Sequence, residues 1–249
     1  MKRPWQIRPR GTILAAGVSV LLVWIAIAPV SSAPTQRVTL RTEDGATLSA
    51  TWYEPSSRPA PAVILVHMLH RSRRDWDSFG HRLAGDGIGA LAIDLRGHGD
   101  SQRYSMPDTS TETGYAAMVL DIKAARRYLA GRYDVQPSRI GIAGASIGAN
   151  LAALAAADGS LVSLALLSPA LDYRGLRIEP VVKKIRSPIL LVAGTDDAYA
   201  SRSVRELQKA GGGERQVLML DHAGHGTVML SRDENLARGL VDWFRRTLL

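Results

Sequence analysis

Residues 139–149 read RIGIAGASIGA. A short apolar run leads into Gly144-Ala145-Ser146-Ile147-Gly148, and an alanine-rich, helix-forming stretch follows. Strand, then G-x-S-x-G, then helix is the pattern of a nucleophile elbow. The turn of such an elbow is so tight that the residues two before and two after the serine must be small. The serine itself is held in a strained backbone conformation with its hydroxyl at the tip. Gly144 and Gly148 meet that demand. The pentapeptide alone arises by chance too readily to carry a conclusion, so the surrounding sequence has to decide what it means.

On both sides of the elbow, short apolar runs alternate with amphipathic ones. Strands are expected at 62–66, 88–93, 139–143, 161–167, 189–193 and 216–220. Helices are expected at about 75–85, 115–130, 147–157, 201–210 and 231–248. The run AVILV at 62–66 is apolar throughout, which suits a strand covered on both faces. Ahead of it, 37–40 and 46–53 alternate in polarity around Glu43-Asp44-Gly45 and read as an antiparallel hairpin. The fold class is therefore α/β: a mostly parallel central sheet flanked by helices on both faces, entered through an N-terminal antiparallel hairpin. Ligand sites in such sheets lie beyond the carboxyl ends of the strands. The connection from 167 to 189 is too short for a separate lid domain, so an open or lightly covered site is expected.

A serine hydroxyl is a weak nucleophile. It needs a histidine base, and the base needs a carboxylate to hold its tautomer. Residues of both kinds follow the late strands: Gly194-Thr195-Asp196-Asp197 after 189–193, and Asp221-His222-Ala223-Gly224-His225-Gly226 after 216–220. The chain order Ser, Asp, His is the one that goes with this elbow.

Five motifs stand in a consistent order: V-H-M-L at 66–69, D-L-R-G-H-G-D-S at 94–101, G-A-S-I-G at 144–148, G-T-D-D at 194–197 and G-H-G at 224–226. On these, the chain from about Arg37 to the end resembles the lidless α/β-hydrolases of the dienelactone hydrolase and carboxylesterase-like kind. The resemblance implies Ser146 as nucleophile, His225 as general base and then acid, and Asp197 as the residue orienting the imidazole. Asp196 and Asp172 remain alternative acids, and His222, without flanking glycines, is a loop or pocket-wall residue. The oxyanion would be held by the backbone amides of Ile147 and Leu69. Many relatives read His-Gly-x where this chain has His67-Met68-Leu69, a departure that keeps Met68 as a second candidate donor. Asp94 and Arg96 would tie loops together without a catalytic role. The implied activity is hydrolysis of a carboxylic ester or related acyl bond of a small-molecule substrate through an acyl-enzyme, with no cofactor. Specificity would lie in the loops 104–115 and 171–179.

A reading of another class pairs His67-x-x-His70 with His222-x-x-His225 as four ligands of a metal ion. That arrangement would leave the elbow unexplained. A non-catalytic binding scaffold of the same fold is the third reading, and nothing in the sequence points to lost catalysis.

The chain has 249 residues, 46% of them hydrophobic and 22% charged, enough for one large core. Lys2, Arg3, Arg8 and Arg10 supply four of the eight units of net positive charge, leaving four for the remainder. No basic run is interleaved with aromatics, so nucleic acid is not an expected partner. There is no cysteine, which excludes disulfides and thiolate metal sites. Residues 11–36 carry no charge, and 13–30 (ILAAGVSVLLVWIAIAPV) are nearly all apolar. Residues 1–33 therefore read as a signal peptide or an N-terminal membrane anchor, and 37–249 as the α/β-hydrolase domain. Cleavage between Ser32 and Ala33 avoids a proline just beyond the bond. Cleaved or retained, the domain is expected to be extracytoplasmic, because the basic N-terminus stays inside.

Overall fold

A computed structural model describes residues 33–101 and 114–249. The expected signal or anchor segment lies almost wholly outside the described residues. Among the described residues, no helix is long and apolar enough to cross a membrane.

The chain enters through β1 (Thr35–Arg41) and β2 (Thr47–Tyr53), the expected antiparallel hairpin. It continues through β3 (Ala60–Val66), α1 (Asp77–Gly85), β4 (Gly89–Ile93), α2 (Val119–Ala130), β5 (Val135–Ala145) and α3 (Ile147–Ala155). After β6 (Leu164–Leu167) come a two-residue-per-strand hairpin, β7 (Asp172–Tyr173) and β8 (Leu176–Arg177), and the single turn α4 (Glu179–Val182). The remaining elements are β9 (Ile189–Gly194), α5 (Ala198–Lys209), β10 (Arg215–Leu220), α6 (Met229–Arg232) and α7 (Glu234–Leu248). The main sheet runs β1-β2-β4-β3-β5-β6-β9-β10 and is parallel from β4 onward.

The two-faced burial of the parallel strands follows from their alternation. Ala62, Ile64 and Val66 of β3 pack with α2, α3 and α5, whereas Val63 and Leu65 point to the face covered by α1 and α7. All seven residues of β3 are buried, so the apolar run carries no polar phase. Strand order reverses at β3, with β4 on one side and β5 on the other, and this switch point is where such sheets open a crevice.

Element boundaries depart from the expected ones where side chains cap helices. The helix expected at 201–210 begins at Ala198, because the Asp197 carboxylate accepts from the Ala200 amide (3.2 Å) and caps it. The helix expected over 231–248 is broken at Asp233, whose extended backbone and side chain, accepting from Asn235 and Leu236, start α7 afresh. Between β6 and β9 the chain forms only the β7–β8 hairpin and α4, with no lid domain.

Candidate active site

β5 ends in the elbow. Ser146 has φ 54° and ψ −120°, a region that non-glycine residues seldom occupy, and its amide donates to the Leu167 carbonyl (2.8 Å). The small-residue requirement is visible as steric facts. A Cβ on Gly144 would lie 2.2 Å from the Gly148 carbonyl oxygen, and one on Gly148 would lie 2.6 Å from the backbone oxygens of Val66 and His67. The elbow therefore wedges directly against the end of β3. Ile147 is the first residue of α3, so its amide is among the helix's unpaired N-terminal donors and sits at the positive end of the dipole.

β9 and β10 are adjacent, with Leu220 opposite Gly194, so the turns that follow them meet. His225 Nδ1 lies 2.5 Å from Asp197 Oδ2. The carboxylate is mostly buried (14% exposed) and the imidazole half exposed (49%). With Nδ1–H donated to Asp197, Nε2 is left as the acceptor. A Cβ on Gly226 would fall 3.7 Å from the Ala145 Cβ, so the histidine turn rests on the residue just before Ser146. The structure joins His225 to Asp197 by a direct bond and places no hydrogen bond between His225 and Ser146. Contacts of this kind are often long in a resting enzyme and tighten with substrate.

The other carboxylates are committed elsewhere. Asp196 accepts from the Gly224 amide (2.9 Å), which holds its pKa below the ordinary range. Asp172 is paired with Arg177 (2.8 Å) and accepts from the Gly175 amide within its own hairpin. His222 is exposed, with φ 45°, and has no part in the Asp197 contact.

On the opposite side of the elbow, the Leu69 amide has no protein acceptor among the described residues, and Leu69 is partly buried against the core. The Met68 side chain folds onto the histidine turn: a Cβ on Gly226 would meet Met68 Sδ at 2.6 Å. The methionine that replaces the usual glycine thus braces the glycine after His225.

His67 is fully buried, and both of its nitrogens are used. Nδ1 donates to the Met68 carbonyl (2.8 Å) and Nε2 accepts from the Leu95 amide (3.1 Å). Burial lowers its pKa to about 4, so it is neutral. A ring with both nitrogens bound to backbone has no lone pair to give a metal. Among the described residues, no three His, Asp or Glu side chains form a group that could hold a metal ion. The four-histidine reading is therefore corrected: the two H-x-x-H stretches do not converge as ligands.

Asp94 and Arg96 do tie loops together. Asp94 is buried, accepts from the Arg73 and Asp100 amides and pairs with the Arg73 guanidinium. Arg96 bridges Asp121 (2.7 Å) and Asp44 (2.6 Å), and the hydrogen bonds that Asp44 accepts from Arg96 and Thr42 pull its pKa down to about 2. Three further residues escaped the sequence reading. Ser168, with φ 50°, accepts from the Gly226 amide (3.0 Å) and pins the histidine turn over β6. Asn150, one turn along α3 from Ser146, donates to the Ala170 and Leu176 carbonyls (both 2.9 Å) and accepts from the Ala170 amide, fixing the β7–β8 hairpin. Thr227 donates to Asp75 (2.7 Å). For Ser168 the available signal was its place just past a strand's carboxyl end, and for Thr227 its place just after the G-H-G stretch; Asn150 sits within α3, where nothing marked it.

Residues 57–184 match the family model described as serine aminopeptidase, S33. The chain belongs to this family of α/β-hydrolases. It is 30% identical over 232 residues to an uncharacterised protein of Mycobacterium tuberculosis, covering 85% of this chain and 78% of the relative. It is 26% identical over 219 residues to carboxymethylenebutenolidase of Pseudomonas putida, covering 79% and 87%. The crystal structure of a dienelactone hydrolase from Anabaena variabilis superposes with a TM-score of 0.74 at 17% identity, covering 88% of this chain and all of the other. At that identity the likeness is one of fold. The hydrolase fold inferred from the five motifs is thereby established.

Proposed function

We propose that this hydrolase cleaves carboxylic esters or related acyl bonds of small molecules with Ser146 as nucleophile. The observation that carries the reading is the strained Ser146, with the turn of a half-exposed imidazole resting on the residue before it and that imidazole hydrogen-bonded to a mostly buried carboxylate. His225 Nε2 takes the Ser146 proton as Oγ attacks the acyl carbon, and Asp197 steadies the imidazolium that forms. The tetrahedral oxyanion is held by the amides of Ile147 and of Leu69, or of Met68 in its place. His225 returns the proton to the leaving oxygen or nitrogen, and water clears the acyl-enzyme by the same steps in reverse. The likeness to carboxymethylenebutenolidase and dienelactone hydrolase supports ester-type substrates, and the match to the serine aminopeptidase family makes aminoacyl amides the second class to assay.

Residues 37–249 are proposed to work outside the cytoplasm, carried there by the charge-free stretch at 11–36. An N-terminus at Ala33 in protein recovered from an extracytoplasmic fraction would support a cleaved signal. A cytoplasmic, full-length product would reject export.

The test of the chemistry is labelling of the folded domain with a fluorophosphonate, with the adduct mapped by peptide mass spectrometry. An adduct on Ser146 that is lost in His225→Ala supports the triad. Undiminished labelling or undiminished ester turnover in Ser146→Ala rejects it.

A further inference from the structure

No direct bond fixes His225 against Ser146, so their separation is set by whatever holds the two turns that carry them. Both turns are held by consecutive residues. At the carboxyl end of β6, the Leu167 carbonyl accepts from the Ser146 amide (2.8 Å), and the Ser168 hydroxyl accepts from the Gly226 amide (3.0 Å), one residue past His225. The Ser168 amide in turn donates to the Val192 carbonyl (2.7 Å) of β9, the strand that leads to Asp197. Leu167 and Ser168 thus form one ledge to which the turns of all three proposed triad residues are tied.

The Ser168 contact is the one bond of this ledge made by a side chain, and it is buried: Ser168 is 2% exposed and Gly226 is buried with it. A buried amide that loses its acceptor finds no water to replace it, so the Gly226 amide stays with the Ser168 hydroxyl. On the other side of His225, the Gly224 amide is held by Asp196 (2.9 Å), but that contact is exposed and water competes for it. Gly226 has no slack of its own, since φ is 59° and a Cβ there would lie 2.6 Å from Met68 Sδ. Of the two anchors flanking the base, Ser168 is the stiff one.

Resting on the acyl-transfer reading above, we infer that Ser168 is a positioning residue for the reaction: through the Gly226 amide, its hydroxyl keeps His225 Nε2 within reach of both the Ser146 proton and the leaving atom. In acylation the Ser146 Oγ–acyl bond forms and the bond from acyl carbon to leaving atom breaks, its electron pair staying on the leaving atom. The proton passes from Oγ to Nε2 and from Nε2 to the leaving atom. Ser168 exchanges no proton and touches no substrate. A displaced imidazole fails most where the second transfer is needed. An alkoxide has to be protonated to depart, whereas a nitrophenolate departs as the anion.

The test uses acetate esters whose leaving groups run from ethanol through phenol to para-nitrophenol, with active sites counted by fluorophosphonate labelling taken to completion. The readout is how steeply kcat/KM falls as the leaving group becomes more basic. Ser168→Ala should lower kcat/KM about 10- to 100-fold for the most basic leaving group, the scale of a misplaced catalytic group, and by less than about tenfold for para-nitrophenyl acetate, so the dependence steepens. Ser168→Cys keeps a side chain of similar size whose sulfur is only a weak acceptor, and should steepen it likewise. Should Ser168→Ala not fold, Ser168→Cys carries the same test. Ser163→Ala removes the other buried serine hydroxyl flanking β6, bonded to Thr247 (2.6 Å) at the far end of the strand, and should leave the dependence as in the wild type. An unchanged dependence in Ser168→Cys, or an equal steepening in Ser163→Ala, overturns the inference. Failure of the wild type on every ester, or undiminished turnover by Ser146→Ala, instead overturns the acyl-transfer reading, and the role of Ser168 with it.

Discussion

His67 and His225 each stand just past the carboxyl end of a parallel strand, and each is three residues from a second histidine in the sequence. His67 follows β3, at the centre of the sheet, where the neighbouring turns close over it and both ring nitrogens are consumed by backbone. His225 follows β10, at the sheet's edge, on a turn held up by Ser168 and Met68, with one nitrogen on Asp197 and half the ring open. The same residue in the same local spacing is a structural pin in one turn and the proposed base in the other. What separates them is access to water: burial between two fixed backbone partners keeps the His67 ring neutral, whereas the His225 ring is half exposed and has one nitrogen free of backbone.

The largest expected effect would break this contrast outright. His225→Ala should lower kcat/KM about 10⁴-fold or more with little change in Tm, as loss of a triad member does elsewhere. A mild kinetic loss would return His225 to the status of a loop residue. Next comes the carboxylate that distinguishes the two turns. Asp197→Asn should cost about 10³- to 10⁴-fold, because the amide favours the wrong tautomer while still able to cap α5. Asp196→Asn should stay within about tenfold of wild type, since its amide oxygen can still accept from the Gly224 amide and the partner of the proposed base is untouched. The reverse order would move the acid to Asp196.

For His67 the effect should appear in stability instead. His67→Ala should destabilise the fold by about 3 kcal/mol, through a cavity and two unsatisfied backbone groups, measured by urea unfolding. The protein still folded at low temperature should label at Ser146. A variant of undiminished stability would deny the pin. The finest test is its pH dependence. His67 titrates at about 4 when folded, against 6.5 for the free side chain, so between those values the unfolded chain binds the extra proton. Its contribution is fully present above pH 6.5 and should be lost as pH falls toward 4, at up to about 1.4 kcal/mol per pH unit. Unfolding free energies from pH 7.5 to 4 should show this slope in wild type and a shallower one in His67→Gln. Equal slopes would place the acid sensitivity in other groups.

Much of the fold was legible because its signals are local. The uniformly apolar run at 62–66 marks a doubly covered strand, and Gly144 and Gly148 mark a turn with no room for a Cβ. Asp197 and His225 could be named in advance because they fall in short motifs just past strand ends. The helix boundaries at Ala198 and Glu234 were missed because each depends on one aspartate turning its side chain onto the following amides, and a carboxylate in a polar loop reads the same whether it caps or not.

The sequence by itself determined the order of the elements, the elbow, and the residue types able to act as nucleophile, base and acid, since these follow from periodicity, small-residue spacing and chain order. The tertiary structure decided which of two adjacent aspartates contacts His225 and which histidine keeps a ring nitrogen free of backbone partners. It also showed that Ser168, Asn150 and Met68 hold the neighbouring turns in place. Those outcomes depend on strand order and burial. The pairing of β9 with β10 brings residues 28 positions apart to 2.5 Å, and the closure of turns over β3 removes His67 from water.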